Sequence, residues 1–124
     1  MGKKNILIID DEITLQKALT EVLQQEGFSV INALDGETGL KKCRTSAPDL
    51  ILLDIILPKM DGFKIFEEIR ASKKLKKIPI LVLTNLEENA DVRKMASGEN
   101  VFYLVKSNYS LENIVSKVKE TLKQ

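Results

Sequence analysis

Five short apolar runs recur along the chain, and each is followed by a segment in which apolar residues have helical spacing. Each run has only four or five residues, too few for a helix, and the runs are rich in β-branched residues. Such near-continuous apolar character predicts strands that are buried on both faces, as in a parallel sheet. The runs occupy residues 6–9, 28–31, 50–53, 80–83 and 101–105.

The segments between the runs predict five helices. In the first helix, apolar residues recur at helical spacing from Leu15 to Leu23, and Gly27 is placed to end it. Asp35 is the expected N-cap of the second helix and Ser110 that of the fifth. Five strand–helix units joined by right-handed crossovers predict an α/β fold, a doubly wound five-stranded parallel sheet with helices on both faces.

Polar residues stand at the ends of four of the five runs. Asp10 and Asp11 follow the first run, Asp54 the third, Thr84 the fourth and Lys106 the fifth. Because the carboxyl ends of parallel strands meet at one edge of the sheet, where such folds bind their ligands, we expect these groups to converge on one cleft. Taken singly, each has a structural explanation, such as a helix cap or a strand end. Their joint placement indicates a site.

Three carboxylates in one cleft repel one another. Two charges ~5 Å apart at an effective dielectric of ~20 cost ~3 kcal/mol, so either one carboxylate is protonated or a cation lies among them. An all-oxygen site suits Mg²⁺, which often binds together with phosphate. The chain has no histidine, which excludes His-based catalysis and His metal sites, and it lacks a P-loop. A carboxylate can itself be the nucleophile and form an aspartyl phosphate.

The composition of the chain limits the kinds of binding partner and the cellular compartment that we expect. The 124 residues carry 19 basic and 18 acidic side chains, a net charge of +1 that favours neither nucleic acid nor an anionic membrane. The single cysteine, Cys43, excludes an internal disulfide and fits a reducing compartment. No apolar run approaches the ~20 residues of a membrane span, and we expect no signal peptide. We expect one cytoplasmic domain over residues 1–124 that contacts neither nucleic acid nor membrane.

With these residues in register, the chain resembles the receiver domain of bacterial two-component response regulators, the chemotaxis-regulator-like family. The resemblance covers essentially the whole chain. It rests on the acidic pair Asp10-Asp11, the block DIILPKMDG at 54–62, Thr84, and YLVK at 103–106. It implies a flavodoxin-like fold with strand order 2-1-3-4-5.

The resemblance also implies which residues bind phosphoryl and metal. Asp54 would accept a phosphoryl group from a histidine kinase or a phosphotransfer protein. Asp54, Asp11 and the carbonyl of Ile56 would bind Mg²⁺ directly, and Asp10 would act largely through water. The protein would then be a signalling switch that promotes its own phosphorylation and dephosphorylation, and not an enzyme in the usual sense.

Three further residues would carry the signal. Lys106 would pair with one phosphoryl oxygen, and Thr84 would move to hydrogen-bond another. Tyr103 resembles the switch aromatic whose rotamer follows Thr84. The face built by the fourth helix, fifth strand and fifth helix would then bind an output protein or output domain. Which partner binds, and whether phosphorylation drives homodimer formation, stays open, as does whether the domain is free-standing or part of a longer regulator.

The chain departs from the family pattern at three places. Ser107 stands where proline usually follows the lysine, Asn85 where a small residue usually follows the threonine, and residues 97–100 where Gly-Ala is common. In the family the Lys-Pro bond is typically cis. Because a non-proline cis bond costs ~2.5–4 kcal/mol, we expect the Lys106–Ser107 peptide to be trans.

Two other functions account for part of the pattern. A receiver-like interaction module that signals without phosphorylation would have the same fold, but it would not need the complete acidic site. A hydrolase that forms an aspartyl phosphate, like the haloacid-dehalogenase phosphatases, also uses Asp, Thr and Lys. That family usually has a second Asp two residues after the nucleophile, where this chain has Ile56.

Overall fold

The computed structural model describes residues 2–123, in which five strands alternate with five α-helices. The strands are β1 (Asn5–Ile9), β2 (Ser29–Ala33), β3 (Leu50–Leu53), β4 (Ile80–Thr84) and β5 (Val101–Val105). The helices are α1 (Ile13–Gln25), α2 (Gly36–Ser46), α3 (Gly62–Ala71), α4 (Ala90–Ala96) and α5 (Leu111–Leu122), and a 3-10 turn covers Lys106–Asn108. None of these helices is long and apolar enough to cross a lipid bilayer.

All strand pairs are parallel, and the sheet order is β2-β1-β3-β4-β5. This confirms the doubly wound sheet and the strand order that the resemblance implied. The three central strands alternate their side chains between two apolar cores. Ile6 and Ile8 of β1 face the core closed by α1 and α5, whereas Leu7 and Ile9 face the core closed mainly by α2 and α3. Each fully buried side chain of this kind contributes roughly 1.5–3 kcal/mol, which holds the strand ends in place.

The predicted helix ends are confirmed at three positions. Gly27 follows α1 with a left-handed φ of 94°, a conformation that favours glycine. The Asp35 carboxylate accepts a 2.8 Å hydrogen bond from the Thr38 backbone amide at the start of α2. The Ser110 hydroxyl accepts one of 3.1 Å from the Asn113 amide at the start of α5. These caps satisfy backbone donors that the first turn of a helix leaves free.

The expectation of burial on both faces is wrong for the two edge strands. Four of the five residues of β2 are only half-buried, and the strand runs over residues 29–33 instead of 28–31. In β5, three of five residues are half-buried. Each edge strand has a neighbour on one side only, so helices cover it less completely. Apolar residue types alone do not reveal which strands will lie at the edges.

Candidate functional site

The acidic residues that follow β1 and β3 lie together at the carboxyl edge of the sheet. Ile9 is in register with Leu53, so Asp10 and Asp54 leave adjacent strands side by side. One carboxylate oxygen from each of Asp10, Asp11 and Asp54 lies within 4.8 Å of the others. Asp10 and Asp54 are buried, at 3% and 5% exposure, whereas Asp11 is exposed. The cluster is therefore a pocket with a buried floor and one open side.

Lys106 bridges the two buried carboxylates. Its Nζ lies 2.7 Å from Asp10 Oδ2 and 2.8 Å from Asp54 Oδ2, with Glu12 Oε1 further away at 3.7 Å. Burial alone would lower the pKa of Lys106, but the hydrogen bonds to Asp10 and Asp54 outweigh it and raise the pKa. Burial also raises the pKa of Asp10, because desolvation outweighs the favourable bond from Lys106. Lys106 is thus held as an ammonium among the carboxylates.

Backbone amides fix the other oxygen of each buried carboxylate. The amide of Glu12 donates to Asp10 Oδ1 at 2.9 Å, and that of Ile56 donates to Asp54 Oδ1 at 3.0 Å. Each carboxylate is therefore held on one side by the loop that carries it and on the other by Lys106. The Ile56 amide and Lys106 thus orient the Asp54 carboxylate, and no side chain among the described residues hydrogen-bonds to its Oδ1.

The donor set fits a hard divalent cation such as Mg²⁺. All three candidate ligands are carboxylate oxygens within the reach of one ion, and sulfur and imidazole ligands are absent from the cluster. One lysine faces three carboxylates, so the cluster retains excess negative charge that a divalent cation would neutralise. Ile56 stands two residues after Asp54, and its side chain is exposed. The resemblance assigns the backbone carbonyl of this residue to the metal.

Thr84 of β4 and Tyr103 of β5 both bond to the loop that follows β4. Thr84 is completely buried at the end of β4, in register with Val105. Its Oγ1 accepts a 3.2 Å hydrogen bond from the Leu86 amide, and the Tyr103 hydroxyl donates to the Leu86 carbonyl. Burial and acidic neighbours raise the pKa of Tyr103. Both predicted switch residues therefore hold the same loop, and the hydroxyl of Thr84 is engaged there and not with Asp54.

A buried glutamine that the sequence pattern did not single out supports the acidic loop from below. Gln16 Nε2 donates toward the carbonyls of Ile8, Asp10 and Ala33 at 3.0, 3.0 and 2.8 Å. Its Oε1 accepts a hydrogen bond from Asn32 Nδ2. This network ties the ends of β1 and β2 together beneath Asp10. The signal that was available is a polar residue on the otherwise apolar face of α1.

The glycine of the 54–62 block has a steric reason to be there. A Cβ on Gly62 would lie 2.4 Å from Ile55 Cα and 2.8 Å from the Asp54 carbonyl oxygen. Only glycine lets α3 begin directly against the backbone that presents Asp54. Asp61 caps the same helix by accepting a 3.1 Å hydrogen bond from the Phe63 amide.

The structure shows the backbone at two of the three departures from the family pattern. The Lys106–Ser107 peptide is trans, which confirms that expectation. Helix α4 has only seven residues and ends at Ala96, so residues 97–100 form a loop in which Asn100 has a left-handed φ of 57°.

Comparison with known proteins identifies the family of the chain. The family model of the response regulator receiver domain matches residues 6–119. The chain belongs to this family. Among curated relatives, this receiver domain is 44% identical over 88 residues to the alkaline phosphatase synthesis transcriptional regulatory protein PhoP of Bacillus subtilis, a match covering 71% of this chain and 36% of the relative. It is 34% identical over 120 residues to the DNA-binding dual master transcriptional regulator RpaA of Synechocystis, covering 96% of this chain and 49% of the relative.

Solved structures share the whole fold. The chemotaxis protein CheY4 of Vibrio cholerae superposes on this receiver domain with a TM-score of 0.86 and 27% identity, covering 98% of this chain and all 100% of that one. The two curated relatives are longer proteins, of which this chain spans between 36% and 49%. The family assignment therefore applies to the receiver domain and not to the further activities of those proteins.

Proposed function

We propose that residues 1–124 act as one receiver domain that accepts a phosphoryl group on Asp54 in the presence of Mg²⁺ and then changes its partner-binding face. The observation that carries this proposal is Lys106 Nζ, held 2.8 Å from Asp54 and 2.7 Å from Asp10 beside the exposed Asp11. The site combines a candidate nucleophile, Asp54, with a cation, Lys106, and its three carboxylates leave excess negative charge.

The proposed transfer uses Asp54 as the nucleophile. A lone pair of an Asp54 oxygen forms the new O–P bond while the P–N bond of a phosphohistidine breaks, and the imidazole nitrogen keeps the bonding electrons. Asp11, Asp54 and the carbonyl of Ile56 would hold Mg²⁺, with Asp10 acting through water. The ion would neutralise charge on the phosphoryl oxygens.

Lys106 and Thr84 are placed to respond to the new group. Lys106 already contacts the accepting carboxylate, so it can pair with a phosphoryl oxygen after a short displacement of Nζ. Thr84 would exchange its hydrogen bond from the Leu86 amide for one to a second phosphoryl oxygen. Because Tyr103 bonds to the carbonyl of the same Leu86, a shift of this loop would release or move the tyrosine. A local charge change would thus bias a two-state element.

The surface around the site suits a protein phosphodonor. The large apolar side chains that are exposed in the described residues all lie in the loops or first turns at the carboxyl edge of the sheet, around the acidic cluster. They are Ile13, Leu34, Ile56 and Tyr109, between 40% and 56% exposed. Apolar side chains that are exposed at the same edge of a fold favour an interaction site there. We infer that a histidine kinase or phosphotransfer protein docks here, and that the face of α4, β5 and α5 binds an output protein or domain.

Labelling of purified protein tests the proposal. With Mg²⁺ and radiolabelled acetyl phosphate as a small donor, the wild-type protein should incorporate one phosphoryl group, and EDTA should prevent this. Asp54→Asn should abolish incorporation, whereas Asp91→Asn, the same change on the exposed surface of α4, should leave it intact. Equal labelling of Asp54→Asn and wild type would refute the assignment. Absence of any labelling would favour an interaction module that signals without phosphorylation.

A further inference from the structure

Two residues that depart from the family pattern contact each other. The backbone amide of Ser107 donates a 3.0 Å hydrogen bond to Oδ1 of Asn85. A proline at position 107 would have no amide hydrogen to donate, and a small residue at position 85 would have no side-chain oxygen to accept. The contact, which we call the Asn85–Ser107 bond, therefore depends on both departures at once.

The Asn85–Ser107 bond joins the two strands where their ladder ends. The last pair of the β4–β5 ladder is Thr84 with Val105. Asn85 directly follows Thr84, and Ser107 lies two residues after Val105, so the side chain of Asn85 adds one more link between the strands. The residue enclosed between the ladder and this link is Lys106.

The position of Lys106 depends on how its backbone is held. It follows β5 at the edge of the sheet, yet its ammonium bonds to Asp54 at the end of β3, two strands away. Two strand spacings amount to roughly 10 Å, so a small shift of the backbone moves the ammonium relative to Asp54. Ser107 lies in the 3-10 turn, and the Asn85–Ser107 bond is the side-chain contact that ties that turn to β4.

We propose that Asn85 is a positioning residue for Lys106. By holding the Ser107 amide, it keeps the start of the 3-10 turn against the loop after β4, and this fixes the Lys106 ammonium on Asp54. The part of this proposal that concerns phosphoryl transfer rests on the proposed function. The part that concerns the hydrogen bond and the placement of Lys106 holds for the unphosphorylated protein and is tested separately.

Amide hydrogen exchange tests the bond itself. Asn85→Leu keeps the size of the side chain and removes the acceptor. It should speed exchange at Ser107 by roughly two- to tenfold, the effect of losing one hydrogen bond of ordinary strength. Asn85→Asp, which keeps an acceptor, should restore protection. Asn108→Leu is the control in the same turn and should leave Ser107 unchanged. Unaltered exchange at Ser107 in Asn85→Leu would overturn the proposal, whatever the labelling of Asp54 shows.

The rate of labelling by acetyl phosphate tests whether Asn85 acts through Lys106. Asn85→Leu should slow labelling by roughly two- to tenfold. In a Lys106→Met background, Asn85→Leu should cause no further slowing, because a residue that acts only by positioning Lys106 has no effect when that lysine is absent. An equal slowing in both backgrounds would refute the positioning role. The positioning role would also be refuted if Asn85→Leu were labelled at the wild-type rate and Asn85→Ala faster. The size of the side chain at position 85, and not its hydrogen bond, would then set the rate of labelling.

The stability of the same variants keeps the test independent of phosphorylation. If Asn85 positions Lys106, the losses in urea midpoint caused by Asn85→Leu and Lys106→Met should be less than additive in the double variant. Strict additivity would contradict the proposal. Failure of wild type to be labelled would overturn the proposed function, and the exchange and urea experiments would still decide the role of Asn85.

Discussion

Removal of the Lys106 ammonium should destabilise the protein more than removal of any ordinary surface lysine. Lys106→Met keeps most of the side-chain volume and deletes the charge that bridges Asp10 and Asp54. The two carboxylates are almost completely buried, so water can replace the ammonium only in part. The variant leaves two negative charges facing each other.

The structure sets the size of this effect. Oxygens of Asp10 and Asp54 lie within 4.8 Å of each other. Their repulsion at that separation is about 3.5 kcal/mol for an effective dielectric of ~20. Loss of one partner from a buried ion pair typically costs ~3–5 kcal/mol, in agreement with this figure. We expect Lys106→Met to lose about 3 kcal/mol of unfolding free energy, or roughly 10 °C in Tm.

Urea unfolding in EDTA, followed by circular dichroism, measures the loss. Lys59→Met is the matched control, because Lys59 lies 3.7 Å from Asp35 but its side chain is 65% exposed. Such a surface pair contributes less than ~1 kcal/mol. Adding Asp54→Asn to Lys106→Met should recover much of the loss, since it removes one of the repelling charges. Lys106→Met as stable as Lys59→Met would refute the reasoning, as would a further loss on adding Asp54→Asn.

Four other outcomes are expected. Asp11→Ala should weaken Mg²⁺ binding measured by calorimetry, and affinity equal to wild type would remove this carboxylate from the metal site. Gly62→Ala should lower the unfolding free energy by ~1–3 kcal/mol, because its Cβ would lie 2.4 Å from a backbone atom; unchanged urea midpoints would contradict this. Ile56 and Leu86 line one shallow cavity beside the site, and neither side chain can hydrogen-bond to an attacking water. The phosphoryl group should therefore be lost slowly from the wild-type protein and faster from an Ile56→Asn, Leu86→Glu double variant. Equal rates of dephosphorylation would contradict this role of the two apolar side chains. Burial raises the pKa of Cys43 to about 11, so iodoacetamide at pH 8 should react with it only through unfolding, far more slowly than in urea.

Local sequence signals predicted much of the fold because they depend on short stretches of chain. A four-residue apolar run indicates a strand, and Asp35 or Ser110 before a helix indicates a cap, because both signals depend on neighbouring residues. The convergence of Asp10, Asp11 and Asp54 was also predictable, since parallel strands place their carboxyl ends on one edge.

Predictions that needed the position of a whole element were less successful. The apolar run of β2 looks like the others, yet the strand lies at an edge and is only half-buried. The strand order that makes it an edge came from the resemblance and not from any pattern in the residues. Gln16 shows the same limit, because its amide bonds to carbonyls of two strands that only the fold brings together.

The amino-acid sequence alone indicates which residues can carry the chemistry. Carboxylates, a hydroxyl and a lysine stand at strand ends in a chain without histidine. How these residues interact depends on the three-dimensional fold: Lys106 bonds to Asp54 across 52 positions of sequence, and Asn85 bonds to Ser107 across 22. Residue type and local spacing act over a few residues, whereas a hydrogen bond forms only at about 3 Å. Distances of that size between remote residues are set by packing of the strands and helices around two cores.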